Sequence, residues 1–235
     1  MLTSLWLELS NYSLPELTAV IASLTYVVLA ARGHRYCWPA AFVGSAIYVA
    51  VFWQYRLLMD SALNAYYVAM AVYGWQVWTA GAPPSTRDSR ETHTGTGNTA
   101  IDTNKSAATT HTETPVRRWH WHRHALSLVT IAALSITSGY YLAQYSDAAF
   151  PYLDSLTTWS SLLATWMVAR RVLENWLYWI AIDGLSIYLY LHKGLYFTTA
   201  LFFLYAVIAV FGFLHWLSLY RQQTPPMYNA VSIAR

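Results

Sequence analysis

Residues 67–78 read YVAMAVYGWQVW, and residues 205–216, which lie 138 positions later, read YAVIAVFGFLHW. The correspondence extends without a gap over Glu16–Trp78 and Asp154–Trp216, where 13 of 63 positions are identical. Two similar hydrophobic blocks in one chain are typical of membrane transporters, which bind their substrate where the two halves meet. The sequence therefore predicts a duplicated membrane protein with a ligand site between its halves.

The composition is that of a polytopic membrane protein. Apolar residues make up 56% of the 235-residue chain, whereas charged residues make up only 11%, against about a quarter in soluble domains. Long apolar stretches alternate with short charged clusters, which predicts seven transmembrane helices. The predicted spans are Leu14–Ala31, Trp38–Trp53, Leu57–Trp78, Ala125–Tyr145, Leu156–Ala169, Trp176–Leu191 and Leu195–Leu219. Basic residues are better explained by topology than by nucleic acid, and the single cysteine, Cys37, excludes an internal disulfide.

The distribution of Lys and Arg predicts how the chain crosses the membrane. With the N-terminus outside, 12 of the 14 basic residues fall on the inner side, and only Arg56 and Lys193 fall on the outer side. Since cytoplasmic loops are enriched in Lys and Arg, we expect the N-terminus outside and the C-terminus in the cytoplasm. Each repeat has three spans, an odd number, and one span separates them. The two repeats are therefore expected to be parallel, in a SWEET-like three-plus-one-plus-three arrangement.

The same features divide the chain into six segments. In chain order these are an interfacial N-terminal segment (1–13), the first three-helix repeat (14–79), a linker (80–118), the separating transmembrane helix (119–146), the second three-helix repeat (152–219) and a cytoplasmic tail (220–235). The linker is rich in Thr, Ser, Gly and Asn and carries few large apolar residues, so we expect it to be disordered. We expect the separating helix to restore the orientation of the second repeat and to be peripheral.

One face of the sixth span carries the residues best suited to bind a ligand. Trp176, Trp179, Asp183, Ser186 and Tyr190 recur at i, i+3, i+7, i+10 and i+14, so they lie along one side of a helix. A carboxylate in the middle of a span is costly and indicates a functional site. The alternative is a protonated Asp183 that hydrogen-bonds a neighbouring helix. Aromatic rings beside one carboxylate favour a flat organic cation, through stacking, cation–π attraction and charge compensation.

The third span contributes Asn64 and Tyr67 as further candidates. Asn64 is a polar residue inside a helix, and its counterpart in the second repeat is Phe202, so shared architecture does not explain it. Tyr67 belongs to a stripe with Gly74 and Trp78 that recurs in the second repeat and fits a helix-packing surface. We nevertheless include Tyr67 among the candidate substrate-binding residues.

Several kinds of chemistry are absent from the predicted spans. Apart from His215, four residues from the end of the last span, the predicted spans hold no Lys, Arg or His, which disfavours a ligand that carries a phosphate. The chain has no phosphate-binding loop, no nucleophile–base pair and no set of metal ligands within the spans, so we expect neither an enzyme nor a cofactor. His120, His122 and His124 alternate with Trp and Arg at the start of the fourth span, where interfacial anchoring explains them better than a metal site.

Two stretches of the sequence resemble the PnuC family of vitamin transporters. The first is Glu174–Leu201, ENWLYWIAIDGLSIYLYLHKGLYFTTAL, with its Trp-x-x-Trp and Tyr-x-x-Lys-Gly-Leu-Tyr motifs. The second is Asp60–Tyr67, DSALNAYY, together with Tyr73–Trp78, YGWQVW. The resemblance implies parallel repeats in a protein that is usually trimeric. It also implies import of nicotinamide riboside, or in some branches thiamine, by facilitated diffusion, after which a cytoplasmic kinase phosphorylates and traps the substrate.

The resemblance places the family's binding face on Trp176, Trp179, Asp183 and Tyr190, with Asn64 from the first half. Riboside transporters of the family commonly carry Asn at the position of Asp183 and Gln at that of Asn64. Because nicotinamide riboside and thiamine are both flat aromatic cations, Asp183 suits either. We expect a bacterial inner-membrane uniporter for an unphosphorylated cationic vitamin, with nicotinamide riboside first and thiamine second. The alternatives are a proton-coupled antiporter and a membrane sensor that signals through the linker.

Overall fold

The computed structural model of the protein describes residues 14–54, 58–80, 114–146 and 150–223. These residues form seven α-helices with the following bounds: α1 Leu14–Ala31, α2 Cys37–Gln54, α3 Leu58–Ala80, α4 Trp121–Tyr145, α5 Pro151–Ala169, α6 Asn175–His192 and α7 Tyr196–Gln223. The predicted all-helical class and the seven predicted helices are therefore confirmed. The interfacial segment (1–13), most of the linker (81–113) and most of the tail (224–235) lie outside the described residues.

The largest difference in a helix boundary is at the start of α5. The sequence predicts a start at Leu156, because Asp154 and Ser155 interrupt the apolar run, but the helix begins at Pro151. Proline is favoured in the first turn of a helix, since its fixed φ is already helical and its missing N–H has no partner to lose. Asp154 consequently lies in the first turn of α5 rather than before it.

Corresponding helix pairs join the two halves of the chain. Within the halves, α2 packs against α1 and α3, and α6 packs against α5 and α7. Between them, α1 meets α7 and α3 meets α5, which are equivalent pairs under the offset of 138 residues. The middle helices α2 and α6 thus pack within their own halves, and the junction is built from the outer helices.

The separating helix α4 packs along α5 with most of its side chains exposed. Its buried residues are Ile131, Ser135 and Gly139. A Cβ added to Gly139 would lie 2.5 Å from the Tyr152 ring, so α4 and α5 approach closely there. This position agrees with the expectation of a peripheral helix.

Both halves contain the same arrangement of two tryptophans and a glycine. In the first half, Trp38 meets Trp78 edge to face with 5.4 Å between ring centroids, and a Cβ added to Gly74 would lie 2.3 Å from the Trp38 ring. In the second half the equivalent rings are 5.5 Å apart, and a Cβ added to Gly212 would lie 2.8 Å from the Trp176 ring. Only glycine allows such close approach of an indole, so the predicted packing role of this stripe is confirmed.

Beside these tryptophans, two hydrogen bonds from indole N–H groups connect the two halves. Trp78 Nε1 donates to the carbonyl oxygen of Ala169, and Trp216 Nε1 donates to that of Ala30, each over 3.1 Å. The rings of Trp78 and Trp216 meet with 6.0 Å between centroids. A buried aromatic core that spans both halves therefore closes this end of the bundle, which we call the Arg171 end after the turn that caps it.

The turns that follow α1 and α5 occupy equivalent positions at the Arg171 end. Gly33 and its counterpart Arg171 both adopt the left-handed backbone conformation, with φ of 72° and 53°. Such a φ is costly for a residue with a side chain. The buried Arg171 guanidinium donates to the carbonyl oxygens of Gly33 and Thr114, both over 2.6 Å, and lies 4.2 Å from the Trp78 ring centroid. These contacts stabilise the strained turn and join it to the first half.

Residues 114–119 cross the Arg171 end as an extended strap. Arg117 forms a parallel β-bridge beside Val172, in which its N–H donates to the Arg171 carbonyl over 2.9 Å. Glu174 accepts from Arg118 Nε over 2.9 Å and from the Trp119 N–H over 3.2 Å. Residues 114–118 therefore pack against the helices, which corrects the predicted disordered linker of 80–118 at its C-terminal end.

Candidate functional site

A cavity of about 810 Å³ lies between the two halves. Six helices line it, and α4 contributes only Leu142. Trp38 and Trp176 lie at its floor, toward the Arg171 end, whereas Asp60, Asp154 and Lys193 line the opposite end, which we call the Asp60 end. The volume is within the range of small-molecule sites.

All seven binding residues predicted from the sequence line this cavity. They are Trp176, Trp179, Asp183, Ser186 and Tyr190 on α6 and Asn64 and Tyr67 on α3. The structure thus brings together two helix faces that are far apart in the chain. Contact of these side chains with a substrate remains a prediction.

Asp183 carries a buried carboxylate that faces the cavity. It lies halfway along α6, and only 3% of its surface is exposed. Within the described part of the chain its carboxylate makes no hydrogen bond and no ion pair. The alternative of a protonated Asp183 bonded to a neighbouring helix therefore has no support among these residues. Because an unpaired buried carboxylate is costly, a positive group is the natural complement of this position.

Asn64 and Tyr67 both line the cavity, but their polar groups have different neighbours. Asn64 Nδ2 donates to the carbonyl oxygen of Asp60 over 2.9 Å, in its own helix. This bond orients the amide and leaves its oxygen as an acceptor on the cavity wall. The Tyr67 hydroxyl neighbours Ser161 on α5, in the other half of the chain. Its counterpart Tyr205 does the same with Ser23 on α1.

The sequence analysis missed the face of α2 that lines the cavity. Trp38, Ala41, Ser45, Tyr48 and Phe52 all line it. Their spacing of i, i+3, i+7, i+10 and i+14 is that of the α6 face, and each lies 138 positions before its α6 counterpart. The signal was therefore present, because the repeat offset applied to the α6 face identifies these residues directly.

The charged residues at the Asp60 end are a second group that sequence analysis assigned elsewhere. Asp60 and Asp154 lie near the start of α3 and of α5, where a role at the end of a span would be the default interpretation, but both line the cavity together with Lys193. Asp60 lies within electrostatic reach of both other residues, and Lys193 Nζ lies 5.7 Å from the centroid of the Tyr190 ring. Tyr190 in turn stacks on Phe202, with 5.2 Å between centroids. This end thus combines two acids, one base and an aromatic pair.

The polar cavity explains an unevenness in the hydrophobicity of the helices. Among the described residues, α2, α4 and α7 are long and apolar enough to cross a membrane on length and composition alone. The helices α3, α5 and α6 carry Asp60, Asp154 and Asp183 and several hydroxyl groups toward the cavity, which lowers their mean hydropathy. The described residues contain no group of His, Cys, Asp or Glu side chains placed to hold a metal ion.

Comparisons with known proteins agree with this architecture. The sequence profile of the family described as nicotinamide mononucleotide transporter matches residues 13–218. The nicotinamide riboside transporter PnuC of Escherichia coli (strain K12) is 21% identical over 233 residues, covering 88% of this chain and 87% of that protein. The riboflavin/roseoflavin transporter RibM of Streptomyces davaonensis is 20% identical over 213 residues, covering 90% and 88%.

A solved structure shows the same fold. The crystal structure of the vitamin B3 transporter PnuC superimposes with a TM-score of 0.64 at 18% identity and covers 89% of this chain and 83% of that one. The family match spans nearly the whole chain and reaches all seven helices. The chain therefore belongs to the nicotinamide mononucleotide transporter family, which includes the PnuC proteins, and it is a membrane transporter of the vitamin class rather than an enzyme.

Proposed function

We propose that this transporter imports an unphosphorylated, positively charged vitamin, nicotinamide riboside, by facilitated diffusion. The observation that carries the proposal is the buried carboxylate of Asp183 on the cavity wall, which has no ion-pair partner among the described residues. The pyridinium ring of the riboside is flat and carries a fixed positive charge. A unit charge about 4 Å from a carboxylate gains about 4 kcal/mol at an effective dielectric constant of about 20. The bound ring thus supplies the charge that the protein itself does not place there.

In this proposal the aromatic residues of the cavity surround the pyridinium ring, and its polar residues bind the ribose. Trp176 is only 2% exposed and is already packed edge-on against Trp216, so it forms the floor. Trp179 is less buried, and its ring stacks on the pyridinium. Asn64, Tyr67, Ser186 and Tyr190 are the hydrogen-bonding groups for the ribose hydroxyls.

The charges of the cavity favour a riboside over a mononucleotide. Among the described residues that line it, Lys193 is the only Lys or Arg. Two carboxylates, Asp60 and Asp154, line the same end. A phosphate would therefore meet more negative than positive charge, whereas the uncharged ribose would not be penalised.

Thiamine is the second candidate substrate. Its thiazolium ring is also a flat cation, so Asp183 favours it for the same reason. Riboflavin, which the name of the Streptomyces relative raises, has an uncharged ring system that would leave Asp183 without a counter-charge. The order that we propose is therefore riboside, thiamine, riboflavin.

We further infer that two parallel three-helix repeats, joined by α4, rock about this site. The equivalent bonds from Trp78 and Trp216 and the equivalent tyrosine–serine contacts support a two-fold relation between the halves. The distribution of Lys and Arg supports a bacterial inner-membrane protein with its N-terminus outside and the Arg171 end in the cytoplasm. The family resemblance adds two further parts to the proposal. The protein assembles as a homotrimer, and a cytoplasmic kinase phosphorylates the imported substrate and so traps it.

The test is uptake by purified protein in proteoliposomes. Labelled riboside, thiamine and riboflavin are offered to the wild type, to Asp183→Ala and to Asp154→Ala as a matched control at the Asp60 end of the cavity. Asp183→Ala removes both the charge and the polar group, and should lower riboside affinity at least about tenfold, or about 1.4 kcal/mol. The control should change the affinity less, because Asp154 lies at the end of the cavity opposite Trp176. Riboside uptake by Asp183→Ala equal to that of the wild type refutes the proposal.

Two further measurements separate the alternative mechanisms. With the membrane potential held at zero, a uniporter for a cation stops at equal concentrations inside and outside and does not respond to collapse of a pH gradient. A proton-coupled antiporter loses uptake when the gradient collapses. Deletion of residues 84–110 should leave a transporter active and would silence a sensor that signals through this segment.

A further inference from the structure

The two middle helices present equivalent faces to the cavity but different side chains. At the position of Asp183, α2 carries Ser45, and at the position of Trp179 it carries Ala41. All four residues line the one cavity. The backbone therefore offers two equivalent places for a mid-membrane carboxylate, and only the place on α6 is occupied by one.

Tyr205 on α7 connects these two faces. Its hydroxyl lies within electrostatic reach of both Tyr48 on α2 and Asp183 on α6, and Ser23 on α1 neighbours the same hydroxyl. Tyr48 and Asp183 therefore both belong to the surroundings of Tyr205, although they come from different halves. A ligand held by Asp183 consequently lies beside the α2 face as well.

We propose that the α2 face formed by Ala41, Ser45 and Tyr48 is the second wall of the substrate site, and that residue 45 is a second determinant of ligand charge, equivalent to Asp183. This inference rests on the proposed function, because it concerns the same cationic ligand. The single carboxylate on α6 selects one positive charge and fixes which half the charged ring faces. The small side chains Ala41 and Ser45 leave room for the remainder of the ligand on the α2 side.

Transfer of the carboxylate to its equivalent position tests the inference. Asp183→Ser should lower riboside affinity at least about tenfold. The exchange variant S45D/D183S should recover most of that loss, because the charge faces the same space from the other half. The control T158D/D183S places an acid on α5 in the same cavity, at a threonine whose hydroxyl only bonds the Asp154 carbonyl of its own helix. This control should stay at the level of Asp183→Ser.

The outcomes distinguish the two proposals. Unchanged uptake by Asp183→Ser overturns the proposed function itself. Loss in Asp183→Ser without recovery in a folded S45D/D183S overturns the equivalence of the two positions, and so does equal recovery in T158D/D183S.

A labelling experiment keeps the inference testable if the exchange variant does not fold. The S45C thiol is labelled with N-ethylmaleimide with and without saturating nicotinamide riboside, and the native Cys37, which is 0% exposed, gives a low background. The riboside should slow labelling of S45C several-fold and leave V43C unchanged, since Val43 lies on α2 but does not line the cavity. Labelling of S45C at the same rate with and without the riboside overturns the inference.

Discussion

Gly74→Ala should destabilise this transporter by about 3 kcal/mol, at the upper end of the cost of overpacking. A Cβ at this position would lie 2.3 Å from two carbon atoms of the Trp38 ring. Because carbon atoms pack about 3.5 to 4.0 Å apart, the ring must retreat by about 1.2 Å or more. Trp38 is 1% exposed and packs edge-on against Trp78, so its ring can retreat only toward the cavity and would lose that contact. The cost therefore combines the displaced ring with a shift of the α3 backbone.

Two other helical glycines provide the matched series. At Gly212 the nearest atom of Trp176 is 2.8 Å from the added Cβ, so a retreat of about 0.7 Å suffices and the cost should be about 1 to 2 kcal/mol. At Gly184 the added Cβ meets nothing within 4 Å among the described residues. Alanine there should stabilise α6 by up to about 1 kcal/mol, since it is the better helix former.

The melting temperatures of the three variants in detergent measure this order. For a chain of this size, about 1 kcal/mol corresponds to about 2 to 4 °C, so Gly74→Ala should melt about 6 to 12 °C below the wild type. Gly212→Ala should fall between it and the wild type, and Gly184→Ala should melt at or above the wild type. If Gly74→Ala and Gly184→Ala melted within about 2 °C of each other, close packing against the indole would not be the reason for glycine.

Two further predictions concern the Arg171 end. Trp78→Phe should cost about 1 kcal/mol more than Trp38→Phe, because the Trp78 indole donates to Ala169 over 3.1 Å whereas no partner of the Trp38 indole nitrogen is found in the described ranges; equal melting temperatures would contradict this. Glu174→Ala removes the ion pair with Arg118, which is 56% exposed and so contributes less than about 1 kcal/mol. Its effect should be local, as faster trypsin cleavage after Arg118, and an unchanged cleavage rate would contradict the role of Glu174 in holding the strap.

The helices and one wall of the cavity could be predicted because they follow from local pattern. Apolar runs bounded by charges locate all seven helices, and the period of Trp179, Asp183 and Ser186 identifies a single helix face. The opposite wall has no such local signal. Ala41 and Ser45 are small residues that read as ordinary membrane-helix positions, and only their equivalence to the α6 face shows that they line the cavity.

The strap and the Asp60 end could not be predicted, because their order comes from contacts distant in sequence. The composition of 80–118 indicates disorder, yet residues 114–118 are held by two distant side chains. The Arg171 guanidinium bonds Thr114, which is 57 positions away, and Glu174 bonds Arg118, which is 56 positions away. Arg171 itself was counted only as a topology signal. Asp60 and Lys193 lie at the ends of different helices, so their common environment appears only when those helices are packed together.

The comparison of the two halves shows where equivalent positions carry the same side chain and where they do not. Trp78 and Trp216 are the same at the junction of the halves, and so are Trp38 and Trp176 at the floor of the cavity. On the facing walls of α2 and α6 the side chains differ, as in Ser45 with Asp183. A cavity with identical walls would bind a ligand whose two ends differ in charge in either of two orientations with equal energy. One carboxylate on one wall removes that degeneracy, since turning the ligand around moves its positive charge away from Asp183, the one acidic side chain that the described residues place halfway along the cavity. The difference between Ser45 and Asp183 at equivalent positions is therefore itself an argument that the ligand has a charged end and an uncharged end.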